Sequence, residues 1–266
     1  MNLSPIAGTG LRVSRLSFGT GSLHHVFSSK ERQNILLTAL DAGLSHFDTS
    51  PYYGYGLAEQ DLGTFLKGKR ACVTIATKAG LYPYGYADSH AVSVWLRKAV
   101  GKVFHRCSRP AITWQVDRAK HELRASLRRL KTDFVDVLLL HEPLFSTGQA
   151  DELLRWLEAE KALGTIRYWG LAGEANRVSS WVHEGHPLAM VVQTRDSTSL
   201  RQADFMLDCQ RPLQFTYGYQ SSRVGETTPE QSLDVLRAAL DRNQPGSVIV
   251  SSRKANRVAQ LASVVA

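Results

Sequence analysis

Two rhythms of apolar residues alternate along this chain. Stretches with apolar positions three and four apart read as amphipathic helices: Ile35, Leu36, Ala39 and Leu40; Leu57 through Leu62, Phe65 and Leu66; Val116, Ala119, Leu123, Leu127 and Leu130; Leu153, Leu154, Trp156, Leu157 and Leu163. Between them lie short apolar runs of strand length: Leu16 to Gly21, Phe47-Asp48, Val73 to Lys78, Val135 to His141, Ile166 to Leu171, Ala189 to Gln193, Pro212 to Tyr217 and Val248 to Val250. Weaker helical signals surround Trp181-Val182 and Phe205/Leu207, and a last helix runs to the C-terminus. Ser28 to Glu31 has capping-box spacing, and Thr228-Pro229-Glu230-Gln231 adds a proline at the first helical position. Residues 3 to 16, with turn glycines Gly8 and Gly10, read as a hairpin. Strands alternating with helices, with no repeat and no linker, predict an α/β fold: one (β/α)8 TIM barrel over residues 1–266, preceded by a short N-terminal β-hairpin.

Residues 79 to 112 interrupt the rhythm. Leu81-Tyr82-Pro83-Tyr84-Gly85-Tyr86 is turn-rich and aromatic, and Val94 to Arg109 reads as a short basic helix. Loops of this length are commonly lids or mobile segments.

At 266 residues the chain can bury a large core. No run approaches the roughly 20 apolar residues of a membrane span, and the start has no basic region followed by an apolar run, so a secretory signal is not expected. Cys72, Cys107 and Cys209 are far apart and odd in number, which argues against a disulfide framework or a zinc site and for a reducing, cytoplasmic setting. The net charge of +8 is concentrated: eleven Lys or Arg against two acids lie between Arg97 and Lys131. Such a face can hold an anionic ligand, but charge runs are more commonly solvated helix surfaces, and nucleic acid is not expected as a partner.

Candidate chemistry comes from what ends the strands. Asp48, Lys78 and His141 close three successive apolar runs, and a Pro/Gly-rich loop presents Tyr53 five residues after Asp48. Taken singly, these are a turn cap, a solvated lysine and a satisfied strand-end histidine. On neighbouring parallel strands they converge, because barrel sites form at the C-terminal ends of the strands. A phenol with a pKa near 10 is a poor acid at neutral pH; an ammonium beside it should lower that value, and a carboxylate should keep the ammonium charged. A nearby histidine can orient a substrate oxygen. The set suits proton donation to a carbonyl oxygen as the carbonyl is reduced. No Gly-x-Gly-x-x-Gly fingerprint is present, since Val13 and Glu59 stand where a third glycine is needed.

Over almost its whole length the sequence resembles the aldo-keto reductases. The resemblance is carried by Asp48-Thr49-Ser50-Pro51-Tyr52-Tyr53-Gly54 with Glu59 and Leu62-Gly63, by Thr77-Lys78, and by Leu127 to Leu130 followed by Asp133 and Asp136. Leu140-His141 with Pro143, and Gly164-Thr165-Ile166-Arg167, complete it. It implies NAD(P)H-dependent reduction of a small aldehyde or ketone without metal or membrane. Tyr53 is then the general acid, tuned by Lys78 and Asp48, with His141 orienting the carbonyl. It also places Gly19 and Thr20 near the nicotinamide, Gln193 on its carboxamide and Phe215 where an aromatic would stack. Ser251, Ser252, Arg253 and Arg257 fall at the adenosine phosphate, where cations favour NADPH over NADH.

Departures from the family pattern qualify this. Ala172-Gly173-Glu174 stands where Ser-Asn commonly grips the carboxamide, the loop Gly218 to Thr228 is short, and the chain stops at Ala266 without a C-terminal extension, so an open pocket is expected. Gly21 replaces a bulky aromatic, and His24 and His25 read as loop residues near the mouth. Two other readings stand beside the reductase: a non-catalytic barrel that senses nucleotide or binds partners, and an aldolase using Lys78 as a Schiff-base amine.

Overall fold

The computed structural model describes residues 3–82, 111–221 and 228–265. The basic segment from Val94 to Arg109 and most of the 79–112 interruption lie outside the described residues, as does most of the Gly218–Thr228 loop.

The chain opens with an antiparallel hairpin, β1 (Leu3–Pro5) and β2 (Arg12–Ser14). Eight parallel strands then close a barrel: β3 (Leu16–Gly19), β4 (His46–Asp48), β5 (Thr74–Ala79), β8 (Val135–His141), β9 (Ile166–Gly173), β10 (Val191–Arg195), β11 (Phe215–Tyr217) and β12 (Ser247–Val250), which pairs back onto β3. Outside the ring, β6 (Leu81–Tyr82) and β7 (Ala111–Ile112) form a two-stranded ribbon. The helices are α1 (Ser29–Asp41), α2 (Leu57–Phe65), α3 (Val116–Leu130), α4 (Thr147–Ala162), α5 (Ala175–His183), α6 (Asp204–Asp208), α7 (Pro229–Arg242) and α8 (Ala255–Ala262). None is long and apolar enough to cross a membrane. This is the (β/α)8 barrel with an N-terminal hairpin that the alternation predicts.

Strand side chains alternate between two faces, and the two faces belong to two cores. Leu138, Leu140, Leu171 and Val192 point outward into the large core under the helices. Ala76, Val137, Leu139, Ala172, Val191 and Phe215 point inward and pack against Ile6, Leu11 and Val13 of the hairpin segment. The hairpin therefore plugs the end of the barrel where the strands begin.

Several of the residues that carry the family resemblance hold these layers together. Glu59 of α2 is fully buried and accepts from Thr77 Oγ1 of β5 at 2.6 Å and Arg129 Nε of α3 at 2.7 Å. Asp136, also buried, accepts from the Ile75 amide (2.9 Å), Arg70 (2.8 Å) and Arg167 (3.0 Å). Ions buried this way are tolerated because each carboxylate oxygen finds at least one donor. Gly63 lets α2 approach α3, since a Cβ there would lie 2.2 Å from the Arg129 carbonyl oxygen. On the basic helix α3, Arg118 pairs with Glu122 at 2.5 Å and Arg124 with Glu160 at 2.9 Å.

Boundaries shift where side chains intervene. Helix α4 begins at Thr147 rather than near 151, because Ser146 and Gln149 form a capping box. Strand β11 starts at Phe215 rather than Pro212, and β10 at Val191 rather than Ala189. There Gln214 inserts its amide into the ladder, accepting from the Val192 amide at 2.7 Å and donating to Met190 at 3.0 Å, while Arg211 donates to the Ala189 carbonyl at 2.6 Å.

Candidate active site

Parallel neighbours β4 and β5 bring Asp48 and Lys78 together at their C-terminal ends, with Lys78 Nζ 2.6 Å from Asp48 Oδ1. Tyr53 arrives on a tight turn in which its amide donates to the Ser50 carbonyl at 3.0 Å. Gly54, Tyr55 and Gly56 are all left-handed (φ 63°, 56° and 87°), a path that glycine takes without steric cost. The turn sets the Tyr53 hydroxyl 3.2 Å from Lys78 Nζ.

Proton bookkeeping follows from these distances. The Lys78 ammonium has three protons and meets three acceptors: Asp48 Oδ1, the Thr49 carbonyl at 3.0 Å and the Tyr53 oxygen. The Tyr53 oxygen thus accepts from lysine, and its own proton is directed elsewhere. Asp48 Oδ1 also accepts from Gln193 Nε2 at 2.8 Å.

Burial alters the expected electrostatics. Desolvation raises the Tyr53 pKa above its ordinary value, with Lys78 opposing; the net direction is up, where the residue types alone suggested down. Tyr53 is held as a neutral phenol. Burial works against the Lys78 charge, but Asp48 and Tyr53 outweigh it and raise its pKa. A lysine held as ammonium is in the wrong state for Schiff-base attack, which argues against the aldolase reading. His141 is driven down to about 3 by burial and then by Lys78, so it is a neutral imidazole.

These groups line a cleft of about 390 Å³ together with Ala172, Gly173, Gln193, Tyr217–Ser221 and Val248–Ser251. Gly19 is on the wall, where a Cβ would meet Ile249 Cγ2 at 3.0 Å. A Cβ at Gly21 would stand 3.6 Å from the Tyr53 ring, so that position adjoins the phenol itself. His24 and His25 end a 3-10 turn, Thr20–His25, instead of lying in an irregular loop.

Three expected cofactor residues are placed differently from the sequence reading. Phe215 is fully buried one layer below the cleft, stacked on His46 with centroids 4.8 Å apart. The aromatic on the cleft wall is Tyr217, the next inward residue of β11, which sequence reasoning missed; counting two residues on from Phe215 to the strand end would have found it. Thr20 is also fully buried, its hydroxyl donating to the Asp48 carbonyl at 3.1 Å and lying 2.9 Å from Thr49 Oγ1, so it braces two strand tips. Arg257 donates to Gln260 Oε1 at 2.5 Å and to the Ser232 hydroxyl, which engages two of its five N–H groups within the protein. Ser251 lines the cleft, the Ser252 hydroxyl donates to the Lys254 carbonyl at 3.2 Å, and Arg253 and Lys254 are exposed.

A parallel barrel whose polar residues gather at the strand ends, with a buried lysine–aspartate pair against a tyrosine, defines a class of site before any comparison is made. The family model for the aldo/keto reductase family matches residues 15–203, and the chain belongs to that family. It is similar to L-galactose dehydrogenase of Arabidopsis thaliana, 30% identical over 181 residues, covering 65% of this chain and 49% of that protein. It is also similar to a D-threo-aldose 1-dehydrogenase from Pseudomonas sp, 33% identical over 147 residues, 52% of this chain and 42% of that one. The chain spans about half the length of the curated relatives it matches. Among solved structures, the holo form of an aldo-keto reductase from Bacillus halodurans superposes with a TM-score of 0.76 at 20% identity, covering 100% of this chain and 91% of that one; at that identity it supports the fold alone.

Proposed function

We propose that this chain interconverts a small carbonyl compound and its alcohol with a nicotinamide cofactor, Tyr53 donating or accepting the proton. The observation that carries the reading is the full occupancy of the Lys78 ammonium. Its contact fixes the phenol oxygen and stabilises negative charge there as the proton leaves, while burial keeps the resting phenol protonated. Neutral His141 can offer a hydrogen bond to the substrate oxygen, and Asp48, clamped by Lys78 and Gln193, keeps the ammonium charged.

The cleft suits a nicotinamide nucleotide on its own residues: an aromatic wall at Tyr217, bare backbone at Gly19, and the Gln193 amide. When bound, that cofactor supplies the hydride. Gly19, Gln193, Tyr217 and Ser251 would hold it, and exposed Arg253 and Lys254 favour a 2′-phosphate, hence NADPH over NADH. Two relatives are named as sugar dehydrogenases, which makes aldoses and short hydroxyaldehydes the first substrates to try.

Tryptophan fluorescence during titration with NADPH and NADH tests the reading. Expected is tighter binding of NADPH and turnover on part of an aldehyde and aldose panel. Failure to bind either nucleotide would sink it. The second reading, a nucleotide-sensing or partner-binding barrel, is favoured by the absence of polar side chains at Ala172-Gly173, and two plant relatives are named as probable voltage-gated potassium channel β subunits. Binding without turnover across the panel would select it.

A further inference from the structure

One ionisable group beside the cleft has no part in the proton chemistry above. Glu142 follows His141 directly, in a left-handed conformation (φ 55°) that is uncommon for a residue with a side chain. Its amide donates to the Ala172 carbonyl at 2.7 Å, which ties it across to the tip of β9. That tip is bare: Ala172 and Gly173 line the cleft and offer it no polar side chain. The Glu142 carboxylate stands beside the gap, since a Cβ on Gly173 would lie 3.4 Å from Glu142 Oε2. Among the described residues its one close cation is Arg177, 3.9 Å away and more than a third exposed, a pairing too loose and too wet to neutralise it. Backbone held in a sparsely populated region around a site is a reason to look for function there.

A half-buried carboxylate needs donors, and the three protons of the Lys78 ammonium are already taken by Asp48, Thr49 and Tyr53. The Glu142 charge is felt by both Tyr53 and the Tyr217 phenol, and it helps to raise the pKa of each. Resting on the nicotinamide reading above, we propose that Glu142 is a cofactor-site residue: its carboxylate accepts from the carboxamide N–H of the nicotinamide and, as an anion beside the ring, favours the positively charged oxidised form over the neutral reduced one. The lost side-chain grip at Ala172-Gly173 is thereby supplied from the neighbouring strand, and the site is biased towards binding oxidised nucleotide.

The two parts of the proposal separate experimentally. Dissociation constants for NADP+ and NADPH are measured by tryptophan fluorescence on the wild type, Glu142→Gln, Glu142→Ala and Glu174→Gln, with apo melting temperatures as a folding check. Glu142→Gln keeps an acceptor oxygen and removes the charge; it should weaken NADP+ about tenfold and leave NADPH within about twofold, on the scale of one charge interaction in a partly buried site. Glu142→Ala should weaken both nucleotides. Glu174→Gln, which removes an exposed acid 3.5 Å from Arg195 that also acts on Glu142, should shift the ratio of the two dissociation constants less than Glu142→Gln does. The unmodified protein gives a second test: the oxidised 3-acetylpyridine analogue of NADP+ keeps the ring charge without an amide N–H, and should bind several-fold more weakly than NADP+. Equal shifts of both nucleotides in Glu142→Gln, or no shift in either Glu142 variant, would overturn the role of Glu142 and leave the nicotinamide reading standing. Wild-type protein that binds neither nucleotide would overturn both.

Discussion

At the end where the strands begin, Ile6, Leu11 and Val13 close over Ala76, Leu139, Val191 and Phe215. At the end where they finish, the next inward residues of those same strands are Lys78, His141, Gln193 and Tyr217. A step of two residues, one pleat along each strand, takes the barrel from a dry apolar layer to a cluster of charges and hydrogen-bonding groups. The contrast matters physically, because the apolar floor removes water from beneath Lys78 and Asp48. Their attraction is then screened less than it would be at a surface, and the neutral form of the Tyr53 phenol is favoured. His46 is an ionisable exception in the lower layer, where the hydroxyls of Ser17 and Ser247 are also buried, 2.5 Å from each other. It is fully buried among apolar neighbours, held by Thr74 Oγ1 at 2.8 Å and stacked on Phe215, and burial drives its pKa down to about 4.

The sharpest way to break the contrast is to put a charge at the closed end. Val13 is fully buried under the hairpin, so Val13→Asp strands an unpaired carboxylate there and should cost upward of about 3 kcal/mol in urea unfolding. A midpoint close to wild type would mean the hairpin is not a packed seal. A smaller effect concerns the histidines. His46 and His141 have folded pKa values depressed to about 4 and about 3, so below the unfolded value near 6.5 the unfolded chain binds protons that the folded chain does not. Their contribution is present above pH 6.5 and is lost as pH falls through that window, at roughly 1.4 kcal/mol per pH unit for each titrating group. His46→Gln should reduce the slope of stability against pH between about 6.5 and 4. An unchanged slope would show that His46 does not titrate this way.

How much of this could be read from the sequence follows from the same layering. The alternation of helix-period and strand-length runs gave the barrel, because that signal is local. Asp48, Lys78 and His141 were legible because each ends an apolar run, and Tyr53 because its turn is rich in glycine and proline. The resemblance places Phe215 as the stacking aromatic, but it is buried and stacked on His46, while Tyr217, the last residue of the same strand, lines the cleft. The direction of the Tyr53 pKa was missed because desolvation depends on packing that a residue list does not contain. The resemblance places Arg257 at the phosphate, and the sequence gives no sign that Gln260 and Ser232 engage two of its five donors. Glu59 and Asp136 matched the family pattern without revealing that they are buried braces between layers.

The central claim is that the Tyr53 proton, freed because its oxygen accepts from Lys78, is the one exchanged with substrate. Single-turnover hydride transfer from bound NADPH to a carbonyl identified in the panel, compared between wild type and Tyr53→Phe, tests it most directly. The account predicts a fall in rate of about 10²–10⁴-fold, with the NADPH dissociation constant within about twofold and the melting temperature little changed. A Tyr53→Phe protein that transfers hydride within about threefold of wild type would contradict it.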